Sequence, residues 1–325
     1  MPLPRIDLSR SMAGKARWVY AGFLVLLLLV PHVVTSGYLV RVMTQVGIYI
    51  ILALGMNVIV GYAGLLNIGY VAFYAVGAYT YAFLASDHFG LHLPTLVVVP
   101  CAVVLAAAFG AVVAALTVRL RGDYLAVVTM SFAEVLRILI NNMDFLTNGP
   151  KGITSIDNMH LGRFEVSSNA QYYYLVLALC LLAVVFSLRL ERSRVGFMLL
   201  AVREDEDAAE AVGVDTKGMK ILASAAGAAM AGLAGTVFAA FQGFISPESF
   251  VFWETVTIMC MVVLGGMASV PGVVLGAVLL VFLPEWLREF ADYRMLLYGL
   301  AFILMMHFRP EGIWPSSQVR RKLRQ

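Results

Sequence analysis

Val42-Met43-Thr44-Gln45-Val46-Gly47-Ile48-Tyr49-Ile50-Ile51-Leu52-Ala53-Leu54-Gly55-Met56-Asn57-Val58-Ile59-Val60-Gly61-Tyr62-Ala63-Gly64-Leu65-Leu66-Asn67-Ile68-Gly69-Tyr70 opens a run without Asp, Glu, Lys or Arg that extends from 42 to 86. One bilayer crossing needs about 20 apolar residues, so this 45-residue run crosses twice. Its break falls at Gly61-Tyr62-Ala63-Gly64-Leu65-Leu66-Asn67-Ile68-Gly69, because each glycine weakens a helix by up to about 1 kcal/mol relative to alanine. A charge at mid-bilayer costs about 2.5–3.5 kcal/mol on insertion scales. The other charge-free runs, 18–40, 88–118, 166–188, 221–247 and 255–284, are therefore spans too. The last is interrupted at Gly265-Gly266-Met267-Ala268-Ser269-Val270-Pro271-Gly272, as two short spans or a re-entrant hairpin. Weaker spans at 124–142 and about 292–308 bring the total to eight to ten. The expected fold is all-α, a polytopic transmembrane helical bundle with broken or re-entrant segments.

Composition agrees. Hydrophobic residues make up 61% of the 325, mean hydropathy is +0.86, and charged residues are 13%, against about a quarter in soluble domains. A soluble fold could not cover this much apolar surface, which excludes soluble enzymes, nucleic-acid binders and disordered chains. The net charge of +3 is too small to point to an acidic partner. Cys101, Cys180 and Cys260 sit in apolar runs without ligand spacing and read as small core residues. With the N-terminus inside, the inner segments carry 17 Lys/Arg and the outer ones 5, the positive-inside pattern. Ten crossings return the C-terminus to the same side, where Arg320, Arg321, Lys322 and Arg324 suit an anionic leaflet. The apolar stretch after Arg5, Arg10, Lys15 and Arg17 is longer than a signal-peptide core and reads as an uncleaved first span. The chain thus divides into a cytoplasmic segment 1–17, a transmembrane domain 18–308 containing the cytoplasmic loop 189–220, and a basic tail 309–325.

Small residues recur every fourth position in Ala102, Ala106, Gly110, Ala114; in Ala223, Gly227, Ala231, Gly235, Ala239; and in Gly272, Gly276. Such strips let helices approach closely in lipid. No catalytic constellation is present: the five histidines are scattered, and H-E-x-x-H, G-x-S-x-G and Walker A motifs are missing. The sequence therefore predicts no catalytic residue, no metal ligands and no cofactor on this chain; any ATP-Mg belongs to a partner subunit.

Three features remain for function. The first break, Gly61, Gly64, Asn67 and Gly69 with Phe73 following, is a candidate substrate pathway, since discontinuous helices expose backbone groups at mid-membrane. Its bland alternative is a tight interhelical turn. Glu134 and Arg137, at i and i+3, form a candidate intramembrane ion pair. In the loop 189–220, the acidic cluster 204–207 suits a helix N-terminus, and Gly213 suits the residue just past a helix end. A short capped helix under the membrane is a docking element.

The stretches 189–220 and 64–79, Ala133-Glu134-Val135-Leu136-Arg137 and Gly243-Phe244-Ile245-Ser246-Pro247-Glu248-Ser249-Phe250 together resemble the permease subunits of branched-chain amino acid ABC importers. The likeness is greater to the LivM-like than to the LivH-like subunit and covers about 40–310. It implies an importer in the bacterial inner membrane, and the charge asymmetry above places both termini of this chain on the cytoplasmic side. The implied partners are a LivH-like sister permease, two ATP-binding cassette ATPases that bind ATP-Mg, and a periplasmic amino-acid-binding protein, with no nucleic acid. In the wider ABC class a cytoplasmic E-A-A-x-x-x-G element docks into the ATPase. Asp207-Ala208-Ala209-Glu210-Ala211-Val212-Gly213 fits it with Asp for Glu, and the proline that often follows is missing. The coupling residues implied are Arg203, Glu204, Asp205, Asp207, Ala208, Ala209 and Gly213. The loop 141–170 is the candidate contact for the binding protein. A urea or amide permease of the same family, and an ion-coupled secondary transporter using Glu134, are the alternatives.

Overall fold

The helices stop where glycines and capping side chains stop them. The computed structural model describes residues 36–120, 122–161 and 164–286, with Pro31, Gly299, Ile303 and 312–315. Most of the expected spans 18–40 and 292–308, the segment 1–17 and the tail 309–325 apart from 312–315 lie outside the described residues. Helix α1 (Gly37–Met56) continues as a π-helical stretch, Asn57–Tyr62. Helical form is then lost through Gly64, whose φ of +68° suits glycine, until α2 (Val71–Leu84) begins. Helices α3 (Thr95–Thr117), α4 (Asp123–Asn142) and the short α5 (Asp144–Thr147) follow. Strand β1 (Met159–Leu161) then pairs antiparallel with β2 (Phe164–Val166), a small hairpin that the all-α expectation did not include. Helix α6 (Asn169–Glu191) opens on a capping box: Ser168 Oγ accepts from the Gln171 N–H, and Gln171 Oε1 accepts from the Ser168 N–H. The remaining helices are α7 (Arg194–Glu204), α8 (Glu206–Ala211), α9 (Thr216–Gln242), α10 (Phe252–Gly265) and α11 (Val270–Trp286).

Among the described residues, five segments are long and apolar enough to cross a membrane: Gly37–Tyr62, Thr95–Thr117, Asn169–Glu191, Thr216–Gln242 and Pro247–Gly265. Val71–Leu84 and Val270–Glu285 are apolar but shorter. Helix α4 is long enough, at about 30 Å, but carries Glu134 and Arg137. The chain is an all-α, multi-pass membrane protein.

Helix α9 is the axis, packing along α3, α2 and α1. Its small-residue strip is why this is possible. Gly227 faces Gly55 and Ile59, Gly235 faces the backbone of Tyr74 and Ala78, and Gly110 of α3 meets Ser224 and Ala228. Ala102, Ala106, Ala223, Ala231 and Ala239 are all buried. The strips of α3 and α9 therefore do pack helices. The cysteine expectation holds only for Cys180, which is buried and donates to the Gly47 carbonyl (3.0 Å). Cys260 is half-buried, and Cys101 is exposed, because it lies on the outward side of α3.

One end of the bundle carries α7 and α8, here the loop end; the other carries the β-hairpin. Helix α9 rises from the loop end to Gln242, where Arg41 Nη2 donates to Gln242 Oε1 (2.7 Å). Helix α2 rises alongside: Gly77 lies against Gly232, and Ser86, just past its end, pairs with Ile156, whose N–H donates to the Gly243 carbonyl. At about 1.5 Å per residue, Gly232 stands about 24 Å along the roughly 40 Å of α9, so the start of α2 is about 15 Å from the loop end. Helix α2 thus begins near mid-depth, and the broken segment fills the layer beneath it.

Candidate functional site

The first break is held by side chains. Asn57 is fully buried within the π-helical stretch, and its Oδ1 accepts from the Ala268 N–H (2.8 Å). Its Nδ2 has no partner among the described residues. The first break and the second therefore touch, Gly61 lying against Asn57 and Ala268. A π-helix leaves backbone groups out of the regular ladder and recurs at functional positions. Here the Gly61 carbonyl accepts from Arg203 Nη1. Gly64 is exposed and lies against the stem of the same arginine.

Further along, Asn67 is buried and its Oδ1 accepts from the Gly69 N–H (3.0 Å). Gly69 lies so close to α4 that a Cβ there would collide with the Thr129 carbonyl. The Ile68 N–H donates to Thr129 Oγ1 (3.2 Å). Phe73 is buried in the core, edge-on to Tyr70 and Phe109 at 6.1 Å between ring centres. The structure thus brings Gly61 and Gly64 to Arg203, and Asn67 and Gly69 to Thr129, while Phe73 packs between α2 and α3. Asn67, Thr129, Thr117, Lys220 and Ser224 line a cleft at the loop end.

Glu134 and Arg137 pair as their spacing requires: Arg137 Nε donates to both carboxylate oxygens (3.1 and 3.0 Å). Their side chains remain 43% and 29% exposed on a helix whose Val127, Val135 and Leu139 are uncovered.

In the loop, the acidic cluster divides. Glu204 ends α7, and Asp205 caps α8, its Oδ1 accepting from the Ala208 N–H (2.9 Å). Glu206 and Asp207 fill the first turn, favourable to the helix dipole. Gly213 follows the helix with φ +88°. Ala209 is buried and anchors α8, whereas Asp207, Ala208 and Gly213 face outward. Lys220 Nζ, buried on α9, donates to Glu206 Oε1 (2.6 Å).

A family model described as the permease component of branched-chain amino acid transport systems matches residues 38–306. The chain belongs to this permease family. The permease is 42% identical to LivM of Escherichia coli K12, a high-affinity branched-chain amino acid transport permease, over 99% of its own length and 80% of the relative's. It is 28% identical to BraD of Pseudomonas aeruginosa over 87% of its length and 96% of the relative's. With LivH of Escherichia coli K12 it shares 24% over 84% and 93%. No solved structure matches it. The permease is a transport component rather than an enzyme.

Two residues of this region escape a sequence reading. Asn57 carries one weak signal, an amide inside an apolar run one turn before Gly61. Thr129 carries none, since threonines are common in membrane helices.

Proposed function

We propose that the permease is one half of the translocation pathway of an ATP-driven importer for branched-chain amino acids in the bacterial inner membrane, with a LivH-like sister permease as the other half. In this reading the loop end is cytoplasmic, and both termini lie on that side. Of two ATPase subunits, which bind ATP-Mg, one docks on the outward face of α8 around Asp207, Ala208 and Gly213. A periplasmic amino-acid-binding protein meets the opposite end, at 141–170.

The observation that carries the reading is the hydrogen bond from Arg203, on the helix leading into α8, to the carbonyl of Gly61 in the broken span. A displacement of α7 and α8 reaches the membrane by that bond, and reaches α9 through Glu206 and Lys220. Gly69 against Thr129 closes the loop-end cleft toward mid-depth. Pulling the segment from Gly61 through Gly64 and Asn67 to Gly69 away from α4 opens that closure, while Phe73 holds α2 to the core. ATP binding then drives the cycle by favouring one of two states with different affinity for the amino acid. Ion coupling through Glu134 is the weaker reading, because Arg137 occupies both of its oxygens.

Arg203→Ala in the assembled importer tests this. ATP-driven leucine uptake in proteoliposomes should fall roughly tenfold or more, the scale of a lost charge-assisted hydrogen bond. Membrane insertion and the bound ATPase should be retained. Wild-type uptake with normal assembly refutes the coupling route.

A further inference from the structure

The loop end of α6 is a basic corner with an apolar approach. Leu182, Val185 and Phe186 are uncovered along one side of the helix, a stripe at helical spacing. Arg189 continues that stripe one turn further on and is exposed as well. The chain then turns sharply: the Ser193 N–H and Oγ both donate to the Leu190 carbonyl (3.0 and 2.8 Å), and Gly196 lies against the same carbonyl. Arg192 and Arg194 flank the turn, both exposed. We infer that this corner, Arg189, Arg192 and Arg194 at the end of the α6 stripe, binds the headgroup of an anionic phospholipid, an inference whose consequence for transport rests on the importer reading above.

Three observations carry it. The first is depth. Helix α6 begins at Asn169, and at about 1.5 Å per residue Arg189 lies about 30 Å along it, one hydrocarbon thickness of a bilayer. Its guanidinium therefore reaches the headgroups while the stripe stays beside the acyl chains. The second is charge. None of the three arginines has an ion-pair partner among the described residues. Glu191, half-buried on another face of the helix, offsets part of the Arg192 charge, so the corner from 189 to 194 keeps an excess of two positive charges. Guanidinium groups match the geometry of phosphate oxygens. The third is the pairing of the two chemistries on one surface. A phospholipid matches both, its acyl chains against Leu182, Val185 and Phe186 and its phosphate against the arginines, whereas a soluble acidic protein matches the cations alone. Helix α3 supplies the contrast: its uncovered Val104, Val112 and Leu116 form a like stripe, which ends on the single exposed Arg119. The position also bears on transport. Helix α7 runs from this corner to Arg203, about 14 Å away, and Arg203 holds the Gly61 carbonyl. A headgroup bound at the corner fixes the near end of the lever whose far end reaches the broken span.

The test uses the full-length permease, purified alone and with its ATPases, and reads lipid binding by native mass spectrometry. Phosphatidylglycerol should bind roughly tenfold or more tightly than phosphatidylcholine of the same acyl chains, the scale of several basic residues at an anionic headgroup. The triple variant Arg189→Gln/Arg192→Gln/Arg194→Gln should lose that preference, and Arg119→Gln should keep it. Equal binding of the two lipids by the wild type overturns the inference, as does an undiminished preference in the triple variant or an equal loss in Arg119→Gln. Excess inorganic phosphate should not displace the lipid; displacement makes the corner a simple anion site and refutes it as a lipid site. A preference that disappears once the ATPases are bound assigns the corner to a partner protein and overturns the inference too. If the triple variant does not insert, Arg189→Gln alone decides: it should weaken phosphatidylglycerol binding roughly threefold or more, and unchanged binding refutes the site. In proteoliposomes of the complete importer, ATP-driven leucine uptake should be roughly threefold or more faster with phosphatidylglycerol than with phosphatidylcholine alone, and the triple variant should lose the difference. Uptake indifferent to the lipid overturns the role in transport. Absence of ATP-driven uptake in every membrane refutes the importer reading instead and leaves the lipid binding as measured, so the two failures are distinguishable.

Discussion

The two helix breaks share a glycine-rich composition and differ in what holds them. The first, 57–70, is fixed by side chains: Asn57 to Ala268, Asn67 to Gly69, Thr129 to Ile68 and, from outside the span, Arg203 to Gly61. The second, 265–272, is fixed mostly backbone against backbone, with Ser269 Oγ accepting from the Gly272 N–H (3.3 Å). Gly265 and Gly272 face each other's carbonyls, and Gly276 faces that of Met261. The Ile313 and Trp314 N–H groups donate to Leu264 and Gly265 (2.9 and 3.1 Å). A contact made by one long side chain can be remade one step away. Interlocked main chains have no such alternative, because packed interiors have few voids to move into. The second break is thus the more closely interlocked support, and Asn57 is the joint between them.

The largest effect should come from spoiling that support. At Gly272 a side chain would meet the Gly265 and Trp314 carbonyls, neither of which is a flexible tip. Gly272→Val should therefore destabilise the permease by about 1–3 kcal/mol or more through overpacking, seen as a lower melting temperature of the purified permease. The comparison breaks if Gly272→Val melts as the wild type does, since the second break would then be as adaptable as the first. Next in size is the joint. Asn57→Ala leaves the Ala268 N–H buried and unpaired, at about 1–3 kcal/mol. Unchanged thermal stability would mean that the breaks are not joined there.

Sequence reading located these elements well where the physics is local. Glycine spacing places both breaks, a glutamate and an arginine three apart must pair on a helix, and the acidic cluster 204–207 and Gly213 mark the start and the end of a short helix from residue type alone. What it could not show is which elements meet. Arg203 and Gly61 are 142 positions apart, and a carbonyl that accepts a hydrogen bond leaves no trace in the identity of its residue. The same holds for Gly69 against Thr129, where the partner contributes backbone. Phe73, grouped with the pathway by its position after the glycines, turns inward to Tyr70 and Phe109, because helical periodicity alone does not say which face of a uniformly apolar helix is inside. A cleft beside Arg137 draws on α2, α4 and the 247–250 turn, an assembly no local pattern encodes.

The smallest effect is expected at the hairpin end, where the contacts are exposed. His92 Nδ1 lies 2.7 Å from Asp157 Oδ2, tying the loop after α2 to the segment before the β-hairpin. The hydrogen bond to Asp157, then its charge and that of Asp87, raise the imidazole above its ordinary value of about 6.5. A raised folded-state pKa means the tie is fully present below the unfolded value and is lost as pH rises through the folded one. Because the group is solvent-exposed, the effect is confined to these loops. Hydrogen exchange at the Asp157 amide, which donates to Ala85, checks it after correction for the intrinsic pH dependence. Protection should fall as pH passes above the ordinary imidazole range, and His92→Ala should remove that dependence while leaving the first break and its Arg203 contact as they are. A pH response that persists in His92→Ala would assign it to another group and leave the hairpin end no more adjustable than the second break.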